Sequence, residues 1–140
     1  MKILSVDDSA TARLIVKQTL EGEGHQVLEA PDGAVALSVL DAQPGIECVV
    51  LDWNMPVMNG IDCLKAIRKR PSLKDVKVVM CTTEAEKSSI MAAIKAGANG
   101  YVLKPVTAES LIGGVNKAMG LGGGGNAPAK KKVRKKVRKA

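Results

Sequence analysis

The chain has 140 residues, a net charge of +7 and only two aromatic residues, Trp53 and Tyr101. This length fits one domain with a single core, which aliphatic side chains and methionines must fill. No apolar run approaches the roughly 18 residues that a membrane span requires, and no signal peptide precedes Met1, so a cytoplasmic location is expected.

The positive charge is concentrated at the end of the chain. Residues 126–140 contain no acidic residue and eight basic ones: Lys130, Lys131, Lys132, Arg134, Lys135, Lys136, Arg138 and Lys139. Residues 1–125 therefore carry −1, the difference between +7 and +8. The sequence predicts one domain over residues 1–120 and a glycine linker with a basic tail over residues 121–140. Because like charges repel and a run of four glycines is costly to order, we expect this tail to be disordered.

Apolar strands alternate with amphipathic helices along residues 1–120. In chain order, the predicted strands cover residues 2–6, 26–29, 48–51, 76–81 and 101–103. Helices are predicted from Ser9 to Gly22, over 33–41, after Gly60, before Gly97 and from about 107 to 119. Continuous apolar strands such as 48–51 are typical of parallel strands covered on both faces. The pattern predicts an α/β fold, with a five-stranded parallel sheet flanked by five helices in a doubly wound arrangement.

Polar residues of complementary chemistry stand at the carboxyl ends of the predicted strands: Asp7, Asp8, Asp52, Thr82 and Lys104. In an open parallel sheet these ends meet in a crevice where ligands bind. Three neighbouring carboxylates repel one another unless a cation joins them, and a set of oxygen ligands favours Mg²⁺. Asp52 can then act as a nucleophile towards a phosphoryl group, whose oxygens Lys104 and Thr82 would stabilise. Each residue alone is explained by helix capping or a solvated turn, but the joint arrangement is not.

The other metal-binding residue types offer no competing site. His25 is the sole histidine, which excludes a site with several histidines. Cys48, Cys63 and Cys81 lie far apart in the sequence and form no CxxC pair. We interpret them as buried apolar cysteines of a reducing compartment.

At the strand ends the sequence resembles the receiver-domain family of response regulators, especially its single-domain, chemotaxis (CheY-type) members. The resemblance covers residues 1 to about 120. It is carried by Val6-Asp7-Asp8-Ser9, Leu51-Asp52-Trp53-Asn54-Met55-Pro56, Gly60, Cys81-Thr82 and Tyr101-Val102-Leu103-Lys104-Pro105. Taken together these motifs are highly specific, so the resemblance implies a phosphorelay function.

The resemblance also implies roles for individual residues. Asp52 would be the phosphoacceptor for a histidine kinase. Asp8, Asp52 and the backbone carbonyl of Asn54 would bind Mg²⁺, with Asp7 contributing through water. Thr82 would bond a phosphoryl oxygen, and Lys104 would pair with it.

Further implications concern the response to phosphorylation. Tyr101 resembles the switch aromatic, which swings inward as Thr82 moves, and the downstream target would bind the face of the fourth helix, fifth strand and fifth helix. The Lys104–Pro105 bond is usually cis in this family. Asn54 and Glu84 match the chemotaxis type, whereas Thr83 departs from the usual alanine or glycine, with an effect on phosphotransfer rate that stays open.

Two other functions compete with this interpretation. A small α/β enzyme with an aspartate nucleophile, similar to a phosphatase, would need a DxD segment after the first strand, which Asp7-Asp8-Ser9 does not provide. Alternatively, the chain is a diffusible chemotaxis-type regulator whose tail is only an accessory. We expect a monomer that is not an enzyme, apart from assisting its own phosphorylation and dephosphorylation.

The basic tail predicts attraction to a polyanion, either DNA or an anionic membrane. Six lysines against two arginines suggest diffuse contacts with phosphates rather than bidentate recognition of bases. Anionic lipid would gain about 1 kcal/mol for each basic residue near its surface. A tail that only improves solubility is the simpler alternative.

Overall fold

The structure is a computed structural model that describes residues 1–83 and 86–120. Within these residues, five strands alternate with five α-helices. The strands are β1 (Lys2–Val6), β2 (Gln26–Ala30), β3 (Ile46–Asp52), β4 (Lys77–Thr82) and β5 (Gly100–Leu103). The helices are α1 (Ala10–Glu21), α2 (Gly33–Ala42), α3 (Gly60–Arg68), α4 (Lys87–Lys95) and α5 (Ala108–Ala118), with a short 3₁₀ turn at Pro71–Leu73.

The strands form one parallel sheet in the order β2-β1-β3-β4-β5. Alternate side chains of the central strands enter two different cores. Val49 and Leu51 pack with α2, α3 and α4 on one face, while Cys48 and Val50 pack with α1 and α5 on the other. The prediction of a doubly wound α/β fold is confirmed, and it explains why the central strands are continuously apolar.

Polar side chains fix where the helices begin. Ser9 accepts a hydrogen bond from the backbone N–H of Ala12 at the start of α1, and Asn59 accepts one from Asp62 at the start of α3. Each cap satisfies an N–H group that the helix itself leaves unpaired. The caps therefore set the points at which the loops after β1 and β3 end.

At their carboxyl ends, β2, β3 and β4 each extend one residue further than predicted. Asp52 and Thr82 are the last residues of β3 and β4, because the ladder continues through the pairs Asp52–Cys81 and Thr82–Leu103. Their side chains therefore project from regular strands rather than from loops. This fixes their backbones more firmly than the sequence pattern implied.

The three cysteines are free and buried, as predicted. Burial raises the pKa of the Cys48 and Cys81 thiols to about 12 and that of Cys63 to about 11. The thiols are therefore neutral core side chains near neutral pH.

No helix in the described part of the chain is long and apolar enough to cross a bilayer. The linker and basic tail predicted over residues 121–140, and Glu84, lie outside the described residues.

Candidate functional site

The carboxyl edge of the sheet gathers the residues that the sequence places at strand ends. Asp7 follows β1, Asp52 and Thr82 end β3 and β4, and Lys104 follows β5. Asp7, Asp52 and Thr82 are only 6%, 5% and 1% exposed, whereas Asp8 is exposed to solvent. Buried polar side chains at one edge of the sheet form a recessed site, and Asp8 lies at its solvent side.

Lys104 joins two of the carboxylates. Its Nζ lies 3.0 Å from Oδ2 of Asp7 and 2.9 Å from Oδ1 of Asp52. Burial favours the neutral amine, but the hydrogen bonds and negative charges of Asp52 and Asp7 outweigh it, so the pKa of Lys104 is raised. The lysine is therefore a permanent cation in the site.

The carboxyl group of Asp52 is held in an environment that disfavours its charge. Burial, supported by repulsion from Asp7 and Asp8, raises its pKa above the usual range, although the hydrogen bond from Lys104 acts in the opposite direction. The charged form of Asp52 is therefore destabilised in the folded protein. A further cation or a positively polarised group would stabilise it.

The acidic cluster fits a hard divalent cation. One carboxylate oxygen from each of Asp7, Asp8 and Asp52 lies within 4.8 Å of the others. All three are oxygen ligands, which suits Mg²⁺ or Ca²⁺ better than zinc. Asp7 is also held in place, because its Oδ1 accepts a hydrogen bond of 2.9 Å from the N–H of Ser9. Asn54, the remaining predicted ligand, is exposed in the loop two residues after Asp52.

Backbone hydrogen bonds connect the loops around the site. The N–H of Trp53 donates to the carbonyl of Cys81 over 3.1 Å, and the N–H of Lys104 donates to that of Thr82 over 2.8 Å. The N–H of Gly60 closes the loop after β3 by donating to the carbonyl of Trp53 over 2.7 Å. These bonds fix the main chain just after Asp52 and join the ends of β4 and β5.

Gly60 also occupies a space that no other residue would fit. A Cβ atom there would collide with the carbonyl oxygen of Asp52 and would lie 2.8 Å from Cα of Trp53. The start of α3 therefore lies directly against the end of β3 because residue 60 lacks a side chain.

The two aromatic residues of the chain meet beside the site. The rings of Trp53 and Tyr101 are 6.4 Å apart between centroids, with an interplanar angle of 77°, an edge-to-face arrangement. Both are partly buried and pack against the core on the α2–α3–α4 face. A rotation of Tyr101 would therefore change the surroundings of Trp53.

Sequence reasoning missed two features around the site. Arg13 donates from Nη1 to the carbonyl of Asp7 and pairs with Glu29, and so braces the loop after β1. A cavity of about 200 Å³ lies between α1 and the Pro105-Val106 segment and reaches Asp52 and Lys104. Neither has a sequence signature: the contacts of Arg13 depend on how α1 packs against β2 and the loop after β1, and the cavity depends on how α1 packs against the loop after β5.

Comparisons with known proteins agree with the geometry. Residues 3–116 match the family model described as the response regulator receiver domain. A chemotaxis protein CheY homolog of Campylobacter jejuni is 41% identical over 128 residues, which cover 91% of this chain and 98% of that protein. The chemotaxis protein CheY-3 of Vibrio cholerae is 49% identical over 112 residues, covering 79% and 85% of the two chains.

Solved structures of other proteins have a similar fold. The structure of the chemotaxis protein CheY4 of Vibrio cholerae superposes with a TM-score of 0.79 at 33% identity, covering 84% of this chain and 97% of the other. The Lys104–Pro105 bond is cis, as the family resemblance implied. The family match spans most of the described residues, and its fold is the one found here. The chain therefore belongs to the response regulator receiver domain family and is a CheY-like receiver of the two-component type.

Proposed function

We propose that the chain is a phosphorylation-activated regulator that accepts a phosphoryl group from a histidine kinase on Asp52. The observation that supports this best is the pairing of Asp52 with Lys104 beside two further carboxylates. Such a site offers a nucleophilic oxygen next to one fixed cation and a place for a second. Phosphotransfer to a kinase partner is expected in the cytoplasm, with the protein acting as a monomer.

The proposed reaction is an in-line displacement at phosphorus. An Oδ of Asp52 forms a bond to phosphorus as the bond to the imidazole nitrogen of the donor histidine breaks, and that nitrogen keeps the electron pair. Lys104 Nζ and the hydroxyl of Thr82 would stabilise the negative charge on the equatorial oxygens. Hydrolysis of the resulting acyl phosphate returns the carboxylate, so the protein assists only its own phosphorylation and dephosphorylation.

Receiver domains typically bind Mg²⁺ in an acidic pocket, and the residues of this chain fit such an ion. Asp7, Asp8 and Asp52, with the backbone carbonyl of Asn54, would hold it, Asp7 through water. The bound ion supplies positive charge next to the phosphoryl oxygens. Lys104 already pairs with Asp7 and Asp52, so part of the repulsion between the carboxylates is relieved before any metal binds.

Phosphorylation would be transmitted through Thr82 and Tyr101. A phosphoryl group adds close to two negative charges, which favours a position of Thr82 nearer to Asp52. Tyr101 stands on the neighbouring strand, where its residue pairs with Met80 in the β4–β5 ladder. Its inward rotation would shift a two-state equilibrium that exists before phosphorylation, with Trp53 as a fluorescent reporter.

The downstream target would bind the face formed by α4, β5 and α5. Three large apolar side chains are exposed there: Met91 (47%), Ile94 (58%) and Leu103 (45%). Exposed apolar residues grouped on two adjoining elements are typical of a protein-binding surface. We expect Ile94→Asp to accept phosphoryl groups normally but to lose capture of the phosphorylation-dependent partner in a pull-down, and equal capture by variant and wild type would contradict this.

The phosphoacceptor assignment is tested by Asp52→Asn. This variant should fold but incorporate no label from radioactive acetyl phosphate or from a phosphorylated histidine kinase, because the amide is not a nucleophile for phosphorus. Asp75→Asn is a matched control, since Asp75 is an exposed carboxylate outside the site. Label retained by Asp52→Asn at the level of the control would show that another residue is phosphorylated.

We also propose that the tail binds a polyanion, either DNA or an anionic membrane. The support is its charge alone: eight basic residues and no acidic residue within residues 126–140. Replacing all eight by Gln in the full chain should abolish binding to a DNA duplex or to anionic vesicles at low salt. Unchanged binding would leave the tail as an accessory of a diffusible regulator.

A further inference from the structure

We propose that the folded domain carries a second basic surface, which binds duplex nucleic acid together with the tail, at the edge of the sheet opposite Asp52. This inference rests on the proposed function of the tail. The surface, named here the basic edge, consists of Lys69, Lys74, Lys77, Lys95 and Lys117.

The topology places these five lysines at one edge. In a doubly wound parallel sheet, the last turns of the helices and the first residues of the strands lie at the amino ends of the strands. Lys69 caps the end of α3, Lys95 ends α4 and Lys117 lies in the last turn of α5. Lys74 follows the 3₁₀ turn and Lys77 begins β4.

The charges of the basic edge are available to a ligand. Lys69, Lys74, Lys95 and Lys117 are exposed and Lys77 is half-buried. Within residues 1–83 and 86–120, none of the five lies within ion-pair distance of a carboxylate. Lys104 and Lys17, by contrast, are both paired. Five cations without partners at one edge attract an external polyanion.

Most acidic residues at the same edge lie apart from these lysines. Glu21 ends α1, Asp41 lies in the last turn of α2 and Glu47 is the second residue of β3, so they flank the β2–β1–β3 half of the sheet. The basic edge flanks the β4–β5 half, where Asp75 is the acid next to Lys74. The β2–β1–β3 half also contains Lys2 at the start of β1, and Asp41 is paired with Arg70, so the two halves differ in their balance of charge rather than in sign alone.

Interactions with helix dipoles explain only part of this distribution. Cations in the last turn of a helix are stabilised by the partial negative charge there, which accounts for Lys95 and Lys117. Lys74 and Lys77 lie outside the α-helices and gain no such stabilisation. Because Lys74 and Lys77 lie beside the helix ends, the five lysines form one surface and are not only separate cations at helix ends.

The tail starts from this same edge. Helix α5 ends at Ala118, and Lys130 lies ten positions after Gly120. A chain of that length spans at most about 36 Å when fully extended. The first tail cations can therefore contact the same polyanion as Lys117, and the two surfaces can act together.

The chemistry of the cations favours a duplex over a membrane. All five residues of the basic edge and six of the eight in the tail are lysines, which contact phosphates as point charges. Insertion into a bilayer interface needs a large apolar face, yet Val133 and Val137 are the only large apolar residues from 130 to 140, so a membrane would be bound through its surface charge alone. No aromatic residue in this segment could stack on the bases of a single strand.

The test compares full-length variants for binding to a fluorescent DNA duplex as a function of salt. Lys74→Gln/Lys95→Gln removes two charges from the basic edge. Lys17→Gln/Lys87→Gln is the matched control, because Lys17 pairs with Glu29 and Lys87 begins α4 at the opposite edge. We expect the edge variant to bind more weakly and its slope of log affinity against log salt to be shallower by up to about 1.8. The control should match the wild type.

Each other outcome has a distinct meaning. If the edge variant and the control bind alike while the tail with eight Gln substitutions loses binding, the tail acts alone and the basic edge has no role. If the wild type binds vesicles with anionic lipid but no duplex, the inference is overturned and the tail proposal stands. If the wild type binds neither at low salt, both proposals fail. Thermal unfolding of each variant, followed by circular dichroism, verifies that the substitutions leave the fold intact.

Discussion

Lys104 sets the electrostatic state of the site at the scale of single residues. It pairs with Asp7 and Asp52 at the same time, at 3.0 and 2.9 Å, but one positive charge cannot neutralise three carboxylates. Burial, supported by repulsion from Asp7 and Asp8, keeps the pKa of Asp52 raised even with the lysine beside it. A divalent cation at the site would stabilise both this carboxylate and the negative oxygens of an incoming phosphoryl group.

The same imbalance predicts how Asp52 affects stability. Because burial of its charge disfavours the folded state, Asp52→Asn should raise the midpoint of thermal unfolding at pH 7.5 in EDTA, by on the order of 2–6 °C. As the pH falls towards the raised pKa, Asp52 takes up a proton in the folded wild type before it does so in the unfolded chain. The wild type therefore gains stability, and the difference in unfolding midpoint between variant and wild type becomes smaller. Melting curves at a series of pH values from 7.5 down to 4 measure this. If the variant were less stable than wild type, or if the difference in midpoint did not change with pH, the charge of Asp52 would be well accommodated in the folded protein.

Gly60 controls the site at the scale of secondary-structure elements. It lets the first turn of α3 lie against the carbonyl of Asp52, and its N–H closes the loop that begins at Trp53. The loop accordingly has little freedom, and Val57 within it adopts a positive φ of 71° while 84% exposed. The position of the nucleophile thus depends on a helix start eight residues away.

This dependence predicts a large effect of one methyl group. Gly60→Ala should lower the free energy of unfolding by about 1–3 kcal/mol and slow labelling by acetyl phosphate, because backbone atoms of β3 must move. Gly113→Ala is the control: its Cβ would meet no atom within 4 Å, so it should be neutral or stabilising by up to about 1 kcal/mol. Urea denaturation checks both variants. Equal stability of the two would show that the loop after β3 adapts freely.

A feature could be predicted from the sequence where its pattern lies in neighbouring residues of the chain. Asp52 and Lys104 could be assigned to one site because each follows an apolar run, and parallel strands bring such ends together. Arg68 gave no such signal, although it donates to the carbonyls of Gly97 and Val76 and to Asn99, and so ties α3 to the segment before β5. Its partners lie up to 31 residues away and share no residue pattern, so only the packed structure reveals them.

At the scale of the whole molecule, the candidate site and the basic edge lie at opposite ends. The carboxylates of the candidate site lie at one edge of the sheet, and the basic edge lies at the other, beside the start of the tail. The sequence predicted the basic tail, because its charges are consecutive. It did not predict the basic edge, because those lysines are separated by 3 to 22 positions and meet only through the topology. Net charge along a chain is therefore a poor guide to charge in space.

A separation of this kind gives the molecule a preferred orientation. A receiver held on a duplex by the end where α5 stops would turn the opposite end, with Asp8 at its solvent side, away from the support and towards the surrounding solution. The lateral face with Met91, Ile94 and Leu103 would lie between the two ends, with Ile94 directly beside Lys95 of the basic edge. A molecule immobilised in this way could thus still receive a phosphoryl group, while its target would have to bind next to the duplex.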